Sequence, residues 1–171
     1  GASSHHHSHI LNLNHWNTSH VTNLSDTFSA DLDPLISNWN TSHVTNMNQT
    51  FASLSDGAVP DISRWDVSHV KNMGSLFMQD RGTFPNLSHW DTHNVTNMSD
   101  MFGETKPKNN PHISDWNTSH VTNMSDMFSD DSDIFSLIQG ASHWNTSHVK
   151  NMTELFVEYQ GKLPDLSHWD T

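Results

Sequence analysis

Pro60-Asp61-Ile62-Ser63-Arg64-Trp65-Asp66-Val67-Ser68-His69-Val70-Lys71-Asn72-Met73-Gly74-Ser75-Leu76-Phe77 is one full copy of a unit that recurs along the chain. Its anchor is tryptophan. The seven tryptophans, Trp16, Trp39, Trp65, Trp90, Trp116, Trp144 and Trp169, are 23, 26, 25, 26, 28 and 25 residues apart. Each of the first six is followed twelve residues later by phenylalanine: Phe28, Phe51, Phe77, Phe102, Phe128 and Phe156. A period in the twenties, with the drift confined to the stretch between Phe and the next Trp, marks a solenoid whose coils differ in loop length.

The local pattern suggests how one coil is built. Ile62, Trp65 and Val67 are spaced so that the last two share one face of a strand, whose side chains alternate with period two. Val70, Met73 and Phe77 fall at i, i+3 and i+7, the spacing of one helical face, and Thr or Ser just before such a run can cap a short helix. Pro34, Pro60, Pro85, Pro111 and Pro164 each precede a Trp by five residues and mark the entry to the next strand. The expected fold is therefore an α/β solenoid, leucine-rich-repeat-like, with one short strand and one short helix per coil. About seven strands would make a parallel sheet. Residues 1–9 read as a cloning scar or flexible N-terminal end, and residues 10–171 as a single repeat domain, a fragment of a longer surface protein.

Composition alone borders on disorder, with 33% hydrophobic residues and few Leu, Ile and Val among 171. The large apolar residues, however, collect in fixed Trp, Val, Met and Phe columns, which is how a thin one-dimensional core is made. Thr18, Thr41, Thr92, Thr118 and Thr146 take the inward slot two residues after Trp, so an ice-binding array of outward threonines is not expected. Phe84, Met78 and Phe135 lie in variable connections, where the pattern leaves packing or exposure open. With no cysteine, there is no disulfide framework and no thiolate metal site. No run of eighteen apolar residues is present, and none of the given residues reads as a signal peptide.

The run Trp116-Asn117-Thr118-Ser119-His120-Val121-Thr122-Asn123-Met124-Ser125-Asp126-Met127-Phe128 resembles the repeat of the BspA-like leucine-rich surface proteins of bacteria. The resemblance extends from about Ile10 to Thr171. It implies a solenoid displayed on the bacterial cell surface, held to the wall through parts outside this fragment, of the kind found in adhesins for host matrix or mucosal ligands. This chain departs from the pattern by carrying His where Asn or Lys is usual before the Val. The family shares no catalytic residues, so none is carried over.

Histidine is the unusual chemistry. His20, His43, His69, His120 and His148 stand four residues after their Trp, with His93 displaced by one. His15, His89, His143 and His168 stand one residue before Trp, in a column that Arg64 shares. Lys71 and Lys150 follow the Val of their coils and add fixed charge. These twelve residues, His93 apart, are the candidate ligand-binding set. If coils stack at about 4.8 Å, each column becomes a ladder of imidazoles within mutual electrostatic reach. The formal charge is −12 with His neutral, and protonating all 15 histidines would bring it to +3. Below the ordinary imidazole pKa of about 6.5 the ladders turn cationic and can pair with sulfated or sialylated glycans. His89 beside Asp91 and His168 beside Asp170 are expected to pair with those carboxylates.

The resulting expectation is an adhesin for a host anionic glycan or matrix protein, favoured in acid, monomeric, with no cofactor and no membrane insertion. The alternative is a structural spacer whose histidines are copied by duplication and hold nothing. Metal binding is a rival, since imidazoles suit zinc or copper, but no His-x3-His pair falls in an expected helix and His5, His6, His7 and His9 sit at the end of the chain. No metal site is assigned. Asp26, Asp100, Asp126 and Glu154 form an acidic column ten residues after Trp, read as a solvated helix face. Asp130-Asp131-Ser132-Asp133 lacks the glycine and glutamate of a calcium loop. The acidic balance and lack of basic runs disfavour nucleic acid, and repeated columns do not make the single asymmetric constellation that catalysis requires, so no enzyme is expected.

Overall fold

The computed structural model describes residues 9–28, 32–54, 57–130 and 134–169, with His9 and Leu32 described by backbone alone. Three regular elements stand among them: β1 (His9–Asn12), β2 (Leu32–Leu35) and α1 (Phe135–Ala141). β1 and β2 pair in parallel, with His9 opposite Leu32 and Asn12 opposite Leu35. The rest of each unit is turn, joined to its neighbours by backbone bonds.

The asparagine seven residues after Trp is the point of contact between units. Asn23, Asn46, Asn72, Asn97, Asn123 and Asn151 form a continuous series of parallel bridges, each to the next. Each also accepts, through its side-chain oxygen, the backbone N–H two residues on: Ser25, Asn48, Gly74, Ser99, Ser125 and Thr153. This Asx bond starts a turn, which is why the column is asparagine throughout. Beyond it, alternate N–H groups bond to the following unit. Met73, Ser75, Phe77 and Gln79 donate to the carbonyls of Asn97, Ser99, Met101 and Gly103 at 2.9–3.1 Å.

The strand expected through Ile62, Trp65 and Val67 is two successive turns instead. The Trp65 N–H donates to the Ile62 carbonyl at 3.1 Å, and the Val70 N–H to the Val67 carbonyl at 2.9 Å. Asp66 closes the second turn by accepting both the N–H and the hydroxyl of Ser68. The stretch Val70–Phe77 is likewise not helical. Its bonds span three residues, as in Leu76 N–H to Met73 carbonyl at 3.3 Å. Left-handed backbone interrupts it at Ser75 (φ 56°) and again at Gln79 (φ 65°). The same interruption recurs at Asp26, Gln49, Asp100, Asp126 and Glu154, none of them glycine. A helix cannot propagate through a residue of opposite hand, so the i, i+3, i+7 spacing here reports a run of tight turns.

One hydrophobic cluster unites the described chain. Met47, Met73, Met98 and Met124 are fully buried, as are Phe51, Phe77, Phe102 and Phe128. Rings stack from unit to unit: Trp39 on Trp65 at 6.1 Å, Trp90 on Trp116 at 6.0 Å, Phe102 on Phe128 at 6.1 Å. Such pairs add about 0.5–1.5 kcal/mol each beyond the area they bury. Each buried indole also donates to the preceding unit, as Trp65 Nε1 does to the Ile36 carbonyl at 2.9 Å and Trp90 Nε1 to the Ile62 carbonyl at 3.0 Å. The threonines of the inward slot are buried and tie units the other way, Thr92 Oγ1 donating to the Asn117 carbonyl at 2.8 Å. Of the variable connections, Phe84 is buried, while Met78 and Phe135 are half-buried. The longest connection carries α1, which packs Leu137, Ile138 and Ala141 inward.

Candidate functional site

Both histidine columns occupy the third residue of a turn. One turn runs from the residue three before Trp to Trp itself, and the next from the inward Thr or Val to the Val that follows the histidine. Turn tips face solvent because their side chains have no neighbour above them. Accordingly His15, His20, His43, Arg64, His69, Lys71, His89, His120, His143, His148, Lys150 and His168 are all exposed.

Three imidazoles of the column four residues after Trp are held in place. His43 Nδ1 lies 2.9 Å from the Ser19 carbonyl, His120 Nδ1 2.7 Å from the His93 carbonyl, and His148 Nδ1 2.7 Å from the Ser119 carbonyl. A carbonyl oxygen can only accept, so Nδ1 carries the proton in these rings. In the fourth unit, where histidine is displaced, Asn94 Nδ2 makes the equivalent bond to the Ser68 carbonyl at 2.6 Å. Imidazole and amide thus perform the same inter-unit task at this position. The displaced His93 turns to its own unit and places Nδ1 2.7 Å from Asp91 Oδ1, an ion pair whenever the ring is protonated. Asp91 is therefore engaged by His93 and not by the expected His89; Asp170 lies outside the described residues. Arg64, Lys71 and Lys150 make no ion pair among the described residues.

A second face carries the left-handed residues. Asp100 and Asp126 are half-buried there, while Asp26 and Glu154 are exposed. Burial first, then the charges of Asp126, Glu104 and Asp130, hold the Asp100 carboxyl above its usual range. Glu158 is raised by a hydrogen bond with Asp130 and by that neighbour's charge. This column was expected on a helix; it lies instead on turns whose φ Asp and Asn tolerate better than most residues. No cluster of three or more metal-ligating side chains occurs among the described residues. The segment Asp131–Asp133 of the acidic insertion lies outside them, as do His5, His6 and His7.

Sequence reasoning missed two features. Asp80 is fully buried; its Oδ1 accepts the Leu54 N–H at 2.8 Å, and its Oδ2 has no partner among the described residues. Burial pushes this carboxyl up to about 8. It stands outside the repeated columns, so no periodic signal marked it. The other feature is a shallow cavity of about 160 Å³ between Pro107–Pro111 and α1, lined by Lys108, Asn109, Ile134 and Leu137.

The architecture is that of a tandem-repeat protein whose units are sealed to one another by backbone ladders and stacked rings. Residues 2–110 and again 76–171 match the family described as Mycoplasma protein of unknown function, DUF285, and the chain belongs to that family. No curated protein and no solved structure matches it.

Proposed function

We propose that this chain is a leucine-rich-repeat-like solenoid of the BspA-like kind, carried on the bacterial cell surface. In this reading it is a non-enzymatic adhesin whose histidine face binds anionic host glycans in mild acid. The observation that supports the reading is the uniform exposure of the twelve candidate side chains. Three of the imidazoles are also clamped through Nδ1 to a neighbouring carbonyl, which fixes the tautomer and orientation of a repeating cationic array. Fixed orientation lowers the entropy lost when a polyanion is bound, and protonation of exposed rings supplies charge without moving the backbone.

Asn94 provides the control for the test. Because its amide replaces the imidazole bond, the triple variant His43→Asn, His120→Asn, His148→Asn keeps the inter-unit bonds and loses three imidazoles. Binding to immobilised heparin and mucin is measured at about pH 4.5 and pH 7.4, with circular dichroism at both. The expected outcome is binding in acid only, weakened at least several-fold in the triple variant with the spectrum unchanged. Absence of binding at both pH values removes the adhesin; binding indifferent to the triple variant removes the histidine face. A structural spacer is the second reading, favoured by the same Asn94 bond, since the position has a task that needs no imidazole.

A further inference from the structure

The connection that leads from Phe77 to Trp90 and the one that leads from Phe102 to Trp116 pair edge to edge. The Lys106 N–H donates to the Asp80 carbonyl and the Lys108 N–H to the Gly82 carbonyl, both at 3.0 Å, and the Leu87 N–H donates to the Pro111 carbonyl at 2.9 Å. Asn109 holds the same seam, its Oδ1 accepting the Phe84 N–H and its Nδ2 donating to the Phe84 carbonyl. On the other side of Pro107–Pro111 the neighbour is α1. A helix keeps its backbone bonds to itself, and no backbone bond joins α1 to this segment. The carbonyls of Lys108, Asn109 and Asn110 accept no backbone donor among the described residues, and the N–H groups of Asn109 and Asn110 find no backbone acceptor there. The cavity of about 160 Å³ is the rung that the helix leaves vacant.

Its lining has two characters. Pro111, Ile134 and Leu137 are buried and make an apolar floor, while Lys108, Asn110 and Ser136 are exposed at the rim. Asn110 Oδ1 accepts the His112 N–H at 2.8 Å, which leaves Nδ2 to donate elsewhere. The Ser136 hydroxyl has no partner among the described residues. Charge gathers at the same edge. Arg81, Lys106 and Lys108 are all exposed, and the pairing sets Arg81 beside Lys106. None of the three makes an ion pair among the described residues, and Glu104, two residues before Lys106, is engaged by Gln79 Nε2 instead. Like charges on neighbouring strands oppose pairing, so an anion brought to this edge relieves a repulsion that the fold leaves standing.

We propose that this notch binds a small acidic sugar of the uronate type, with one ring face on Pro111, Ile134 and Leu137 and the carboxylate toward Lys108. A volume of about 160 Å³ lies below the roughly 300–1,000 Å³ of drug-sized sites and suits a single sugar ring. The C–H face of such a ring is apolar and its edge carries hydroxyls that donate and accept. Asn110 Nδ2, the Ser136 hydroxyl and the unpaired backbone groups of 108–110 are partners for those hydroxyls. A charge-assisted bond from Lys108, in the field of Lys106 and Arg81, selects an acidic over a neutral sugar. The site lies in the connections, away from the histidine turns, and uses no imidazole, so it is independent of the histidine face.

The test is a titration of the wild-type chain with sodium glucuronate at about pH 7.4 and constant ionic strength, followed by amide shifts in heteronuclear NMR, with glucose as the neutral control. The histidine face is expected to stay empty in that condition, so the two readings fail separately. Glucuronate is expected to shift the Asn109, Asn110 and Ser136 amides with a millimolar Kd, the range open to so small a ligand, and glucose to bind at least several-fold more weakly. Lys108→Gln is expected to weaken glucuronate about tenfold, the worth of one charge-assisted hydrogen bond, and to leave glucose unchanged. Ser136→Tyr, which fills the notch from α1, is expected to abolish binding with the circular dichroism of the wild type. Absence of shifts at these amides overturns the proposal, as do shifts spread along the chain with no focus on the notch. Equal responses to the two sugars, or a folded variant of either kind that binds glucuronate as the wild type does, overturn it as well.

Discussion

At the scale of single residues, Asn97 and Asp80 show how differently one polar side chain can be used. Asn97 accepts the Ser99 N–H at 2.9 Å and donates to Asn72 Oδ1 at 3.3 Å, so both ends of its amide are engaged. Asn97→Ala is expected to cost about 1–3 kcal/mol, the penalty for leaving a partly buried N–H unpaired, measured by urea denaturation. Asp80 is the opposite case, a carboxyl with one bond and an unpartnered oxygen. Its folded value of about 8 lies above the ordinary 3.8, so the folded state holds a proton that the unfolded chain releases. Stability linked to this group is complete below about pH 4 and declines as pH rises to about 8, beyond which the loss is constant. Asp80→Asn keeps an acceptor for Leu54 and has no proton to lose. Its melting temperature is expected to equal that of the wild type near pH 4 and to exceed it near pH 8.

At the scale of the repeated unit, the inward columns were legible in sequence and the path between them was not. Trp, Val, Met and Phe recur at fixed offsets, and they are the residues that the structure buries. Val70, Met73 and Phe77 were read as a helical face because turns of three-residue span place apolar groups at much the same intervals as a helix. What separates the two is the sign of φ at Ser75, and no glycine marks that position. The histidine columns were legible as outward positions, since the residue that follows each column position is a Trp or Val of the repeated apolar columns. Their carbonyl partners were not, because each lies one unit away in space and more than twenty residues away in sequence. The left-handed column offers a test of the unit. Asp100 is raised above its usual value by burial and by three neighbouring carboxylates, so its contribution to stability is present in acid and lost as pH climbs through the carboxylate range. Asp100→Asn removes that loss and keeps a residue tolerant of positive φ. It is expected to raise the melting temperature near pH 7 and to change it little near pH 3, as followed by thermal circular dichroism.

At the scale of the whole molecule, stability and charge are both distributed lengthwise. Most backbone bonds outside the short turns join one unit to the next, so a unit is held by its two neighbours and by little else. Among the described residues most acidic side chains stand on turn tips and left-handed turns, away from the stacked interior, with buried Asp80 an exception. A ligand that follows the long direction would meet one histidine turn per unit in most units, which suits an extended polymer better than a small molecule. The stacked indoles have an optical consequence as well. Trp16, Trp39 and Trp65 lie face to face at 6.3 and 6.1 Å, close enough for an absorbed photon's energy to hop between rings before it is emitted. Only Trp16 of the three is open to solvent. A dissolved quencher such as iodide, touching that one ring, therefore drains light absorbed by its buried neighbours, and fluorescence reports on the open end of the array from deep inside it.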